Sequence, residues 1–572
     1  MRQRGLREVI RQYLMQSAAT AIRGFCTTGL VLGTLLFAAS LTPSLIPRGA
    51  SVQGILSGFA FAFGYLAGVV IRGLWRFLAL PEAPPAHVRR ARLVALALCL
   101  VIATLFLQQA SGWQNSVRAA MDMEPVDGIR SFRIVAMAVA VFVLCIVTAR
   151  LFTRAGHMLA RLMTRLMPPR VAALTGFTIL ATLVWTLANG LLLSGALRLA
   201  DSSFRQLDAF IPEELSAPAN PLVSGSPQSH IDWMELGRAG RNFVSGVTRF
   251  DELAAFHSDG AKVPIRLYVG LAAGETIEDR ARLALAELQR TGAFEREILV
   301  IATPTGTGMI DPDAIRSLEY LTAGDVATVA VQYSYMASWL TLLVEPEYGA
   351  DSARAVFMDI YDYWRELPRD ERPKLYLHGL SLGAMNSDLS ADLFDVIADP
   401  YQGALWSGPP FSSRTWNTAT RERRPGSPAW LPRFRDGSVI RFANQTGFGD
   451  PDLPERDFAP WGPLRIVYLQ YASDPITFFS PQIAWRPPDW LHDPRGPDVS
   501  PALRWMPVVT MLQLLADIIT ARAAPLGHGH FYAPEHYVTA WHAVIAFDRW
   551  PEGPQWDGRR LEQLRRHLIA TR

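Results

Sequence analysis

Five apolar stretches, none holding a charged residue, occupy the first 200 positions: 24–41, 50–71, 93–113, 134–149 and 171–197. A spanning helix needs roughly 17–25 such residues. Most of the five reach that length, and Arg133 and Arg150 at the ends of the short fourth stretch can extend it by snorkelling. Inside lipid every backbone polar group must be satisfied within its own segment or a closed barrel, so runs of this kind fold as helices. Positions 1–200 are therefore expected to form a transmembrane helical domain of about five spans. Half of the chain's residues are hydrophobic, which is high for a wholly soluble protein and agrees with that reading.

Arginines orient the spans. Five precede the first stretch (Arg2, Arg4, Arg7, Arg11, Arg23), and five more lie in each of the segments 72–92 and 150–170. The alternate connections are poorer: Arg48 in one, and Arg118, Arg130 and Arg133 in the other, diluted by Asp122, Glu124 and Asp127. This bias sets the N-terminus in the cytoplasm, and five crossings carry the rest of the chain to the extracytoplasmic side. Ala38-Ala39-Ser40 faintly resembles a signal-peptidase site; cleavage there would leave four spans and the same final location.

From about position 201 the character changes. A Pro-, Ser- and Gly-rich stretch reads as a linker over 201–235, and the remainder, 236–572, alternates short apolar runs with helical patterns. Strands are expected at 263–270, 297–303, 325–333, 374–378, 404–407 and 464–471, and helices at 275–291, 352–366, 384–398 and 502–522. Strands alternating with helices mean an α/β architecture, a mostly parallel sheet covered on both faces. Two segments, 409–462 and 480–505, read as insertions capping the site, the first rich in arginine and the second in tryptophan.

The chemistry centres on Gly379-Leu380-Ser381-Leu382-Gly383, set between an apolar strand and a helix. Strand, GxSxG, helix is the nucleophile elbow of the α/β-hydrolase fold: the serine sits on a sharp turn, and the flanking glycines remove Cβ atoms that would collide there. A serine hydroxyl needs a base, and the base an orienting acid, in the chain order Ser, Asp or Glu, His. Asp474, just beyond the strand at 464–471, fits the acid, with Asp450 and Asp452 in reserve. Gly527-His528-Gly529-His530 near the C-terminus offers the base; His530 is favoured and His528 is the alternative. An oxyanion hole would draw on the backbone N–H of Leu382 and on the glycine-rich loop 303–308, with Thr305 as the second donor; an ordinary turn is the other reading of that loop.

Several classes are excluded or disfavoured. The net charge of +3 gives no footprint for nucleic acid. Cys26, Cys99 and Cys145 all lie in the apolar first third, so the remainder has no disulfide framework and no cysteine-based metal site. No HExxH, GK[ST] or GxGxxG motif occurs, so neither a metal nor a cofactor is expected.

These motifs, together with Ser40-Leu41-Thr42-Pro43-Ser44-Leu45-Ile46-Pro47-Arg48, PTGTG at 304–308, QYSY at 332–335, PRGPDVSP at 494–501 and GHGH at 527–530, resemble a bacterial membrane-associated α/β-hydrolase family with a dedicated N-terminal membrane domain. The resemblance covers nearly the whole chain. It implies a lipase or esterase with Ser381 as nucleophile, Asp474 as acid and a histidine of the GHGH stretch as base. Leu380 departs from the family elbow, which carries an acidic residue there; that position lies outside the triad and bears on specificity.

The expected function is a membrane-anchored serine hydrolase cleaving carboxylic esters, above all lipid esters, through an acyl-enzyme. It would lie in the bacterial inner membrane with its catalytic domain in the periplasm, and its partners would be an ester substrate and membrane lipids. An envelope acyltransferase would use the same triad. A non-catalytic scaffold or transport component with a relic hydrolase domain is the alternative of another class, disfavoured by the absence of charge inside any apolar stretch.

Overall fold

The computed structural model describes residues 25–572 apart from 83, 129–130, 188–214, 258–259, 337–346, 449–457, 493, 548–549 and 551. The reserve acids Asp450 and Asp452 and much of the expected 201–235 linker lie outside the described residues. The chain divides into two compact units, one of 1–185, 481–491 and 499–523, the other of 186–480, 492–498 and 524–572.

The first unit is helical: α1 (Thr27–Ser40), α2 (Ala50–Phe77), α3 (Pro85–Ala119), α4 (Ser131–Met163) and α5 (Pro169–Thr186). The last four are long and apolar enough to cross a membrane. The first stretch, expected as a fifth span, instead gives a helix of 14 residues. It stops where Pro43 approaches, since the residue before a proline is pushed out of the helical region. Glycines let α1 and α2 touch backbone to backbone: a Cβ on Gly68 would lie 2.5 Å from the Cα of Gly29.

A helix from late in the chain, Val509–Ile519, belongs to this unit. Its Asp517 accepts hydrogen bonds from Ser44 Oγ (2.9 Å), Leu45 N–H (3.1 Å) and Ile46 N–H (3.4 Å) and lies 3.9 Å from Arg48 Nε. Gln513 donates to the Thr42 carbonyl at 2.9 Å, and the hydroxyls of Ser116 and Ser500 bond at 2.7 Å. The segment 480–505, expected as a cap over the site, thus gives 481–491 and 499–505 to the helical unit. Its tryptophans carried no mark of which apolar body they would join.

The second unit is built on seven parallel strands: β1 (Ile265–Val269), β2 (Ile298–Thr303), β3 (Val326–Val331), β4 (Lys374–Leu380), β5 (Gly403–Ser407), β6 (Ile440–Ala443) and β7 (Arg465–Leu469), in the order β1-β3-β2-β4-β5-β7-β6. Pairing runs in register, for example Ile298–Thr303 against Lys374–Gly379. Strands buried along their whole length, such as β2 and β3, read as apolar runs broken only by a threonine each, because both faces are covered. Two groups of helices supply the cover. In one, α6 (Ile277–Arg290), α8 (Tyr348–Glu366) and α9 (Leu382–Ser390) pack in succession; in the other, α7 (Pro312–Leu321), α10 (Pro534–Val544) and α11 (Gly558–Ala570) do.

Two expectations change here. The segment 409–462 is not purely an insertion, because it contributes the edge strand β6. The described part of the expected linker is packed: Val223 and Ser224 are buried, Ser224 N–H donates to the Arg266 carbonyl (3.2 Å), and His230 N–H donates to Glu287 (2.7 Å).

Candidate active site

β4 is the central strand, and the chain leaves its carboxyl end through Ser381 at φ 57°, ψ −125° before α9 begins at Leu382. Positive φ on a residue with a Cβ is strained and persists only where the surroundings over-determine it. They do so here: Ser381 N–H donates to the Ser407 carbonyl at 2.9 Å. A Cβ on Gly379 would lie 2.4 Å from Gly383 backbone atoms, and one on Gly383 would lie 2.3 Å from the Thr303 carbonyl. The motif's glycines therefore let strand, turn, helix and the 303–308 loop close on one another.

Asp474 follows β7 and is fully buried. It caps a short helix, Pro475–Phe478, accepting from Ile476 N–H at 2.9 Å and from Thr477 Oγ1 at 3.2 Å. The same carboxylate accepts from His530 Nδ1 (2.7 Å) and from the Tyr532 hydroxyl (2.8 Å). That bond fixes the proton of His530 on Nδ1 and leaves Nε2 as its free acceptor. Burial and the adjacent Asp474 charge push the Tyr532 phenol well above its usual range, so it is a permanent donor.

The histidine loop lies close to the elbow. Gly408, immediately after β5, has φ 50°, and a Cβ there would lie 2.6 Å from His530 Cε1 and 2.8 Å from the Tyr532 hydroxyl. Its neighbour Ser407 is the residue that holds Ser381 N–H. Ser381 and His530 are thus seated against consecutive residues of one strand end. Among the described residues the Ser381 hydroxyl makes no hydrogen bond.

The two histidines of GHGH are separated by their partners. His528 turns its Nδ1 to Asp498, 3.8 Å from Oδ2, and not to Asp474. Asp498 also accepts from Gln445 Nε2 (2.7 Å) and from the Ser473 hydroxyl, while Gly529 N–H donates to Ser473 Oγ at 2.8 Å. Asp498 and Ser473 therefore clamp the acid-bearing loop to the histidine-bearing loop.

For the oxyanion donors the outcome is divided. Leu382 N–H, at the first turn of α9, has no partner among the described residues. Thr305 N–H does: it donates to the Met309 carbonyl at 3.0 Å, so the expected assignment of Thr305 as a backbone donor does not hold in this geometry. The loop closes on itself through that bond, which the glycine spacing in the sequence could not reveal.

Sequence reasoning also missed Gly408, Tyr532, Ser473 and Asp498. Signals for two of them were present: Gly408 opens a Gly-Pro-Pro turn after β5, and Tyr532 follows His530 by two residues. Neither has meaning until the fold sets them beside Asp474. A cavity of about 910 Å³ opens at the opposite, amino-terminal ends of β2, β3 and β4, and its two lysines are paired, Lys262 with Asp325 and Lys374 with Glu297. It takes no part in this arrangement. Among the described residues no three His, Cys, Asp or Glu side chains converge as metal ligands.

A parallel sheet with a strained serine turn at its centre and an Asp–His pair beyond its later strands defines a hydrolase-type protein of the α/β class. The chain belongs to the alpha/beta-hydrolase family, whose model matches residues 265–555, while the model of that family's N-terminus matches residues 41–247. Comparison with curated proteins and with solved structures returned no match.

Proposed function

We propose that the protein is a membrane-anchored serine hydrolase that cleaves carboxylic esters, with lipid esters as its natural class of substrate. The observation that carries the reading is the 2.7 Å bond from His530 Nδ1 to buried Asp474, made beside the strained turn that presents Ser381. Ser381 Oγ attacks the ester carbonyl carbon as His530 Nε2 takes its proton, and Asp474 holds the imidazole and stabilises the imidazolium. Leu382 N–H donates to the developing oxyanion. The tetrahedral intermediate collapses, the ester C–O bond breaks, and His530 returns the proton to the leaving alcohol. Water, deprotonated by the same imidazole, then attacks the acyl-enzyme and releases the acid and free Ser381.

The anchor is the helical unit, with α2–α5 as spans. The arginines of 72–92 and 150–170 favour the cytoplasmic side for those connections and the extracytoplasmic side for the catalytic unit that follows α5. Contacts within the helical unit favour the same parity: the late residues Ser500 and Asp517 bond to Ser116, at the end of α3, and to the loop between α1 and α2, which lie at one end of the helices. Tethering keeps the site near lipid, which favours a lipid ester.

Membranes carrying the wild-type chain should release fatty acid from a panel of acyl esters, and Ser381→Ala should reduce that release to background at equal expression. Undiminished hydrolysis by Ser381→Ala would rule the mechanism out. Product formed preferentially with an added alcohol would move the reaction to acyl transfer by the same residues.

A further inference from the structure

The Val509–Ile519 helix is apolar on the face where a helix in water is polar. Its buried face carries Gln513, Leu514 and Asp517, and the polar groups there bond to the loop between α1 and α2. The opposite face presents Leu512, Leu515 and Ile519, the last 84% exposed. Trp485, in the same unit, is 62% exposed. Asp517 is the only charged residue from Trp505 to Ala521, and exposed Arg504 and Arg522 stand on either side.

We propose that this helix lies in the outer boundary of the bilayer, with Leu515, Ile519 and Trp485 in contact with lipid, as an interfacial element of the membrane domain contributed by the hydrolase half of the sequence. The inference rests on the membrane reading given above. Three observations choose lipid over another occupant. The helix belongs to the same compact unit as four span-length helices whose outward residues, such as Leu66, Leu100 and Leu144, are likewise exposed and apolar, so its outer face extends a surface of one kind. Its inner face grips the loop that joins α1 to α2, which is the level where hydrocarbon meets head groups when α2 crosses. At 11 residues it is about 16 Å long, too short for a core of about 30 Å, so it rests in one leaflet. Apolar faces flanked by arginine and tryptophan are the pattern of helices lying in the interface plane.

The same contacts define what the helix does. Asp517 gathers one hydroxyl and two backbone N–H groups of the α1–α2 loop, so a lipid-seated element is tied to the membrane helices at a point that is not the covalent linker. The sequence therefore enters the membrane domain twice, once through 1–185 and again through 481–523 with 492–498 looped out.

The test uses the full chain in phosphatidylcholine–phosphatidylglycerol vesicles, with nitroxide labels on Ile519→Cys and Leu515→Cys after Cys26, Cys99 and Cys145 are replaced by alanine. Leu144→Cys, in mid-α4, is the lipid reference, and Phe250→Cys, exposed in the second unit, is the water reference. The proposal expects labels at positions 519 and 515 to match position 144, reached by oxygen and losing access to a water-soluble nickel chelate. Chelate access at 519 with position 144 protected overturns this inference and leaves the membrane reading standing. Chelate access at 144 overturns the membrane reading itself. Dipolar broadening between labels at 519 would assign the face to a second copy and also overturn the proposal. If the cysteine-free chain does not fold, Trp485 serves instead. Brominated lipid should quench the emission difference between wild type and Trp485→Phe, and an unquenched difference counts against the proposal.

Discussion

Asp474 is the residue on which the site converges. Its one carboxylate accepts from a helix N-terminus, from Thr477, from His530 and from Tyr532, so both oxygens are committed and the imidazole has one orientation. Hydrogen bonds to a charged group contribute about 1.5–3 kcal/mol each. Tyr532→Phe should therefore lower kcat by on the order of tenfold with little change in KM, well short of the loss from removing the base itself. Steady-state kinetics on a soluble ester checks this, and a change confined to KM would argue against an orienting role. Gly408→Ala should be more severe, since its methyl would fall 2.6 Å from His530 Cε1; probe labelling at Ser381 should drop with the fold intact. Asp498→Asn should weaken the clamp between the two loops, while His528→Ala should leave most activity because Asp498 keeps Ser473 and Gln445. At this scale Ser381, Asp474 and His530 stand out in the sequence as candidates because each is tied to a local pattern of strand end, turn and glycine. Tyr532, Gly408 and Asp498 do not, because their roles arise only from contacts between segments far apart in sequence.

At the scale of elements, continuous apolar runs announced the buried strands well. β2 and β7 were expected at 297–303 and 464–471 and form at Ile298–Thr303 and Arg465–Leu469. β6 escaped because Ile440–Ala443 is four residues long, interrupted by Arg441 and set at the edge, where a strand needs no unbroken apolar run. α7 carries a testable electrostatic feature at its start. Asp311 caps the helix, accepting from Asp313 N–H at 3.0 Å, and receives the Tyr537 hydroxyl at 2.9 Å. Burial, with the neighbouring Asp313 charge, pushes its carboxyl up to about 7. A carboxyl raised above its usual value of about 4 binds its proton more tightly in the folded state, so its contribution favours folding at low pH and is lost as pH rises through about 7. Asp311→Asn keeps a capping side chain and removes the titration. The thermal midpoint of the variant should fall less than that of wild type between pH 5 and 8; an unchanged slope would place the sensitivity elsewhere.

For the whole molecule, the sequence places apolar helices first and an α/β region after them, and the helical unit and the parallel-sheet unit take up those stretches. What the sequence does not show is the return of the chain to the helical unit through Pro481–Ala523. No local pattern distinguishes an apolar helix that rejoins a distant unit from one that covers its own. This interleaving predicts how the molecule fails. Asp517→Ala would strip the α1–α2 loop of its acceptor and leave buried Arg48 without its counter-charge, which for buried pairs costs on the order of 3–5 kcal/mol. Purified in detergent, that variant should lose its monodisperse elution at a lower temperature than wild type, and equal thermal behaviour would remove Asp517 from the account.

An activated serine at the carboxyl end of β4 should react with a fluorophosphonate probe added to membranes, and peptide mass spectrometry locates the adduct. A single adduct is expected on Ser381, absent in Ser381→Ala, reduced to background by His530→Ala and retained by His528→Ala. A well-folded wild-type chain that takes no label, or one labelled equally without His530, would contradict the proposed mechanism.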